Sequence, residues 1–277
     1  MGLTIVFLGE IVGKTGVFTI KSTMPEIRQR FEPDFIFANA NSATGGAGIG
    51  IQHAVYLRKL GIDCITMGEA AYYKPDMTEF FPKAGWVLRP ANLPEADPGR
   101  GWRVFEKNGK KVAVVMLLGQ SGFARIHADN PFLAIDRLSN FLHRETAYIV
   151  VNFHAATTAE KLSMARYTNG KVSAILGSGG KVLTADARIL SQKTAAITDL
   201  GRTGSMLSVG GFDPEAKVKE FLTGIPTWCR EASAQPEAQG TCIHFDDDGS
   251  AISIEPFRIC GKEVVDEGES DSKKNQG

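Results

Sequence analysis

The sequence predicts an α/β fold in which two sheets pack face to face with helices outside. Two observations carry this. Strand-like apolar runs alternate with helical periodicity through the first quarter of the chain, and two hairpin signals follow later.

Leu3–Leu8 is a continuous apolar run bounded by Gly9, which predicts a buried strand. Ile20, Met24, Ile27 and Phe31 recur at helical spacing. Residues 34–38 predict a second strand, followed by a glycine-rich loop over 39–50. Residues 52–60 read as a helix and 63–67 as a third strand. Strands and helices alternating at this spacing predict a parallel or mostly parallel sheet with helical crossovers.

The middle of the chain changes character. Trp102–Lys107 and residues 111–118 flank Asn108-Gly109, the strongest short hairpin signal. Residues 130–144 predict a helix that feeds the strand ending at His154. A helix over 159–167 and strands over 172–176 and 195–199 follow. Pro214 opens a helix over 214–222, at the first-turn position where proline is favoured. Residues 240–245 and 251–258 flank Asp246-Asp247-Asp248-Gly249 and predict a second hairpin.

The chain has 277 residues, of which 43% are hydrophobic, enough for one large core. No linker divides it, so a single domain is expected over 1–260. Residues 261–277 are dominated by Glu, Asp, Ser, Lys and Gly and predict a disordered polar tail. The 31 basic and 31 acidic side chains cancel, and no strong nucleic-acid signal appears. The first residues lack a signal-peptide pattern and no stretch reaches membrane-spanning length, which predicts a cytoplasmic protein with no membrane contact. Cys64, Cys229, Cys242 and Cys260 are scattered without a CxxC pair, so neither structural zinc nor disulfides are implied.

Several motifs offer chemistry. Gly9-Glu10-Ile11-Val12-Gly13-Lys14-Thr15 has the strand-to-helix context of a P-loop. It places three residues between its glycines where the motif needs four, so a tight turn is expected instead. Gly177-Ser178-Gly179-Gly180-Lys181 is a glycine-rich turn whose N–H groups and ammonium suit an anion; the competing reading is a flexible turn with a solvated Lys181. Gly119-Gln120-Ser121-Gly122 is one residue short of a nucleophile elbow. The Asp246–Asp248 run lacks the ligand pattern of a calcium loop. His53, His127, His143 and His244 show no metal-type spacing. His154 differs, because it ends an apolar strand where α/β folds build sites.

Read together, these pieces resemble the YmdB-like family of calcineurin-type metallophosphoesterases. The resemblance runs to about Arg258. Its most specific blocks are Leu88-Arg89-Pro90-Ala91-Asn92-Leu93-Pro94 with Pro98-Gly99-Arg100-Gly101, and Asn130-Pro131-Phe132-Leu133. Others are Phe153-His154-Ala155 with Glu160-Lys161, Thr184-Ala185-Asp186, and Ile197-Thr198-Asp199-Leu200-Gly201 with Thr203-Gly204. The resemblance implies a calcineurin-like αββα sandwich, two packed mixed β-sheets flanked by helices, with two divalent metals such as Mn or Fe at its strand ends. It also implies phosphodiesterase action, with a metal-bridging hydroxide attacking phosphorus.

At the family's ligand positions this chain departs. The first-strand aspartate position holds Glu10, and the Gly-Glu-Asn loop is Ala40-Asn41-Ser42. The Gly-Asn-His loop is Gly68-Glu69-Ala70, and Gly-Thr-His-Thr-His is Gly177-Ser178-Gly179-Gly180-Lys181. Among Glu10, Asn41, Ser42, Glu69, Ala70, His154, Gly179 and Lys181, only His154 is identical. A dinuclear site needs several anionic and imidazole ligands, and a Lys181 ammonium repels cations. No metal or other cofactor is therefore expected, and Lys181 is expected to pair with Glu10 or Glu69. The expected protein is a catalytically impaired or inactive pseudoenzyme with a regulatory, scaffold or phosphate-ligand-binding role. Phosphate would be held by Ser178, Gly179, Gly180 and Lys181. The alternative is a metal-dependent phosphodiesterase with a remodelled site, in which Glu10, Glu69, Asn41 and His154 hold at least one ion. Expected partners are a second copy of the chain, a phosphate-bearing small molecule and an unidentified protein.

Overall fold

The computed structural model describes residues 2–123 and 125–262. The chain begins with β1 (Leu3–Leu8), β2 (Glu10–Ile11), α1 (Gly13–Phe31), β3 (Phe35–Asn39), α2 (Ile51–Lys59), β4 (Cys64–Thr66), α3 (Pro75–Phe80) and β5 (Val87–Leu88). The hairpin β6 (Trp102–Lys107) and β7 (Lys110–Leu118) leads to α4 (Pro131–Leu142), β8 (Ile149–His154), α5 (Thr158–Tyr167) and β9 (Ala174–Ser178). Then come β10 (Arg188–Ile189), β11 (Ala195–Ile197), β12 (Arg202–Ser205), α6 (Pro214–Thr223), β13 (Pro236–Phe245) and β14 (Ala251–Cys260).

These strands form two mixed sheets. One runs β2-β12-β13-β1-β3-β4-β5 with β14 on β13, and the other β10-β11-β9-β8-β7-β6. The β1-β3-β4-β5 and β7-β8-β9-β11 ladders are parallel, and the pairings made by β13, β6 and β10 include the antiparallel ones. This is the αββα sandwich the sequence predicts.

Period-two alternation explains why the sheets face each other. On β1, Leu3, Ile5 and Phe7 join Phe35, Phe37, Val112, Val114 and Val150 between the sheets. Val6 and Leu8 point the other way, onto Ile20, Met24 and Ile27 of α1. On β7, Ala113, Val115 and Leu117 pack outward with Ile135 of α4 and Met164 of α5. Buried on both faces, such strands read as continuous apolar runs, which is how the sequence shows them.

Helix starts follow local chemistry. Asn130 accepts from Phe132 N at 2.9 Å just before Pro131, and Asp213 accepts from Ala216 N at 2.8 Å just before Pro214. Five short elements depart from the sequence expectation: β2, α3, β5, β10 and β12. The strands among them are two to four residues long, too short for periodicity. Strand β12 (Arg-Thr-Gly-Ser) has no apolar residue; it is strand because β2 and β13 flank it. The polar tail expected over 261–277 lies outside the described residues except for Gly261 and Lys262. Their amides bond Pro236 O at 2.7 Å and Ser22 Oγ at 3.2 Å.

Candidate active site

Alternation also builds the site. Three inner faces run apolar to polar: Phe35, Phe37, Asn39 on β3; Cys64, Thr66 on β4; and Ala174, Leu176, Ser178 on β9. On β8 the sequence Val150, Asn152, His154 keeps the same register. The carboxyl ends of parallel strands from both sheets therefore converge as buried polar groups at one edge of the inter-sheet core.

Buried polar groups must satisfy one another, and here they do so across the two sheets. Asn152 Oδ1 accepts from Thr66 Oγ1 at 2.8 Å and from Asn39 Nδ2 at 3.0 Å. Asn152 Nδ2 donates to Leu176 O at 2.9 Å and to Ser178 Oγ at 3.1 Å. Ser178 Oγ lies 3.0 Å from His154 Nδ1. The network pins the sheets together and fixes the imidazole plane.

The other ring nitrogen faces a carboxylate: His154 Nε2 is 2.8 Å from Glu69 Oε2. A carboxylate only accepts, so this nitrogen carries a proton. Burial opposes charge on both groups, yet the mutual hydrogen bond and attraction outweigh it. Glu69 is held down at about 2, and the His154 imidazole is raised above its ordinary value. Asn41 completes the arrangement. Its Oδ1 accepts from Gly68 N at 2.8 Å and Ala70 N at 3.0 Å, which turns its Nδ2 to Glu69 Oε2 at 3.0 Å. An aspartate here would have no proton to give. Gly68 is required by the ring itself, since a Cβ there would lie 2.6 Å from His154 Cδ2. Phe123 stacks on the imidazole with 5.9 Å between ring centroids.

The neighbouring residue begins a second chain of contacts. Ser42 Oγ donates to Glu10 Oε1 and accepts from Lys181 Nζ at 2.9 Å. Lys181 Nζ is itself 3.4 Å from Glu10 Oε1. Of the two carboxylates, then, Lys181 takes Glu10 while Glu69 takes His154. Glu10 is fully buried and its Oε2 has no hydrogen-bond partner among the described residues, so its charge compensation rests on Lys181. Lys181 holds φ 58, a left-handed conformation uncommon for a side-chain-bearing residue. Its side chain is 22% exposed and that of Glu69 27%, so both reach solvent, whereas His154 sits behind them at 3%.

These donors do not fit a dinuclear metal centre. Glu10 is engaged by a hydroxyl and an ammonium, Glu69 by an imidazolium and an amide, and Ala70 and Gly179 offer no side-chain donor. Among the described residues, no group of three or more His, Cys, Asp or Glu side chains is placed to hold a metal ion.

In the second glycine-rich turn, two of the donors suggested for an anion already have protein partners. Gly180 N–H already donates to Asp199 Oδ2 at 2.7 Å, and the Ser178 hydroxyl is buried in the polar network. The P-loop-like turn is filled by protein: Gly13 N donates to Ser42 O at 2.9 Å and Lys14 N to Glu231 Oε2 at 2.8 Å. His53, His143 and His244 bond Thr44, Lys171 and Thr4, away from His154. Sequence reasoning missed Asn39, Thr66 and Asn152. The signal was present as strand alternation, since Asn39 and Thr66 lie two residues beyond the apolar Phe37 and Cys64, and Asn152 two residues before His154.

The family model for YmdB-like proteins matches residues 6–257. A Bacillus subtilis (strain 168) protein named 2′,3′-cyclic-nucleotide 2′-phosphodiesterase is 36% identical over 93% of this chain and 97% of its own length. The crystal structure of a phosphatase from Mycoplasma pneumoniae superposes with a TM-score of 0.88 at 30% identity, covering 95% of each chain. A protein from Thermus thermophilus gives a TM-score of 0.86 at 30% identity, over 94% of this chain and 100% of the other. These findings correct the expectation of an inactive pseudoenzyme. Chain-long similarity to a phosphodiesterase and a phosphatase favours a hydrolytic protein with a remodelled site.

Proposed function

The chain belongs to the YmdB-like family, and on that premise we propose that it hydrolyses phosphodiesters, with 2′,3′-cyclic nucleotides as the substrate class. The observation that carries the reading is the ionised Glu69, locked to His154 at 2.8 Å, together with the partly exposed Lys181 ammonium of the neighbouring cluster. The two clusters are joined through consecutive residues, Asn41 and Ser42.

Phosphoryl transfer asks a protein mainly for positioning and charge stabilisation, because its transition state is loose. Lys181 neutralises a non-bridging oxygen and protonates the leaving ribose oxygen as the P–O bond breaks. Glu69 orients the attacking water and takes its proton once the new P–O bond forms. That proton passes to bulk water, and Lys181 is reprotonated from bulk, so the site is restored. His154 acts through Glu69 as a positioning residue. Its imidazolium keeps the carboxylate ionised, and Ser178 and Asn152 keep the imidazole in place. No step is assigned to a metal, because the donor set does not fit a dinuclear centre.

The test is conversion of 2′,3′-cyclic AMP to adenosine monophosphate, followed by phosphorus NMR on the purified protein. Turnover that is lost in Lys181→Ala supports the reading. No turnover of this substrate or of bis(p-nitrophenyl) phosphate by the wild-type protein overturns it.

A further inference from the structure

A groove of about 450 Å³ lies on the opposite flank of β7 from His154, between the segment after β5, the start of β6 and helix α4. It shares no residue with the candidate active site. Its size falls within the range of small-molecule sites. Arg89, Arg100, Arg137 and the half-buried Trp102 line it.

Arg89 is the unusual member. It is 4% exposed, yet its guanidinium meets only neutral acceptors: Nη1 bonds Pro90 O at 2.8 Å, and Nη2 bonds Pro94 O and Asp97 O at 3.2 Å. Its Nε has no partner among the described residues. A buried charge ordinarily has a counter-charge. Among the described residues, no ion pair involves Arg89, Arg100 or Arg137. Glu95 and Asp129 also line the groove, both exposed, and neither pairs with these arginines. Three cations, one of them buried, thus face one cavity with two carboxylates at its rim.

We propose that this groove binds a nucleoside monophosphate. Arg100 and Arg137 would take the phosphate, since exposed guanidinium forks match its oxygens. Arg89 supplies positive potential from the floor, and Trp102 offers an aromatic wall for the base. The inference does not depend on the proposed hydrolysis, because neither Lys181 nor Glu69 takes part.

The experiment titrates adenosine 5′-monophosphate, adenosine and inorganic phosphate into wild-type protein, following tryptophan fluorescence and calorimetry. The nucleotide binds saturably at millimolar or lower concentration, and more tightly than either fragment. The Arg100→Ala/Arg137→Ala double variant weakens it at least about ten-fold, while Lys181→Ala leaves it unchanged. Thermal unfolding checks that the double variant is folded; if it is not, charge-preserving Arg100→Lys/Arg137→Lys, which removes the bidentate fork, replaces it and weakens binding in the same direction. Absence of saturable nucleotide binding overturns the proposal. So does binding that survives both arginine double variants or disappears with Lys181→Ala. Phosphate binding as tight as the nucleotide overturns the role of the Trp102 wall.

Discussion

His154 Nε2 lies 2.8 Å from Glu69 Oε2, and the two residues shift each other in opposite directions. Glu69 falls from 4.5 to about 2, so its stabilisation is fully present above pH 4.5 and lost as pH falls toward 2. His154 rises above 6.5, so its stabilisation is fully present below pH 6.5 and lost as pH climbs through the raised value. The pair therefore contributes most between pH 4.5 and 6.5. Urea midpoints of wild type and the Glu69→Gln/His154→Asn variant should differ most in that window. A difference that does not vary with pH would show that the pair is not ionic.

The same coupling shapes catalysis. In the wild-type protein Glu69 stays ionised far into acid, so activity should show no acid limb from this group near pH 4.5. His154→Asn removes the imidazolium but keeps a polar side chain. Burial then acts on Glu69 without its main counterweight, and the acid limb should move up into or above the ordinary carboxylate range. A purely structural role for His154 predicts lower turnover with no movement of the profile. The kcat–pH curves of the two proteins distinguish these outcomes.

Much of this architecture was legible in the sequence, for a physical reason. Strands buried on both faces leave unbroken apolar runs, and Asn-Gly, Asn-Pro and Asp-Pro mark turns and helix starts. Hence β1, β7, β8, α4 and α6 could be placed. Strands β2 and β12 could not, because their pairing is imposed by neighbours distant in sequence. Within the site, His154 and the substituted positions were visible as types. That Lys181 selects Glu10 while Glu69 selects His154 was not, because the choice depends on side-chain directions set by three separate loops. The Asn39–Thr66–Asn152–Ser178 network was overlooked for the converse reason. Isolated polar residues at strand ends look like strand termini until the two sheets are brought together.

Lys181 and Glu10 make a second prediction about stability. Lys181→Ala leaves a fully buried carboxylate whose Oε2 already lacks a partner. Breaking a buried pair from one side costs roughly 3 kcal/mol. The partial exposure of Lys181 places the effect at or below that figure. Adding Glu10→Gln should recover most of the loss, because the uncompensated charge is gone. Chemical denaturation of the two single variants and the double variant measures the coupling. Additive losses would sink the idea that Lys181 compensates Glu10.

Asn41 determines which group faces Glu69 from the neighbouring loop. Two backbone amides hold its Oδ1 and leave Nδ2 to donate to Glu69 at 3.0 Å. In Asn41→Asp that donor becomes an anion beside another carboxylate. Like charges at this range raise one carboxylate's pKa and destabilise the fold near neutral pH, on the order of 1–2 kcal/mol. The variant would also bring a third strong ligand next to Glu69 and His154, a mixed carboxylate–imidazole set that a divalent ion can use. Manganese should therefore raise the melting temperature of Asn41→Asp and leave that of the wild type unchanged, and a chelator should reverse the gain. Wild-type turnover of 2′,3′-cyclic AMP should survive the same chelator. Equal stabilisation of both proteins by manganese, or loss of wild-type turnover on chelation, would mean that Glu10, Glu69 and His154 rearrange to hold an ion, and Lys181 would then have to leave Glu10 for the site to work.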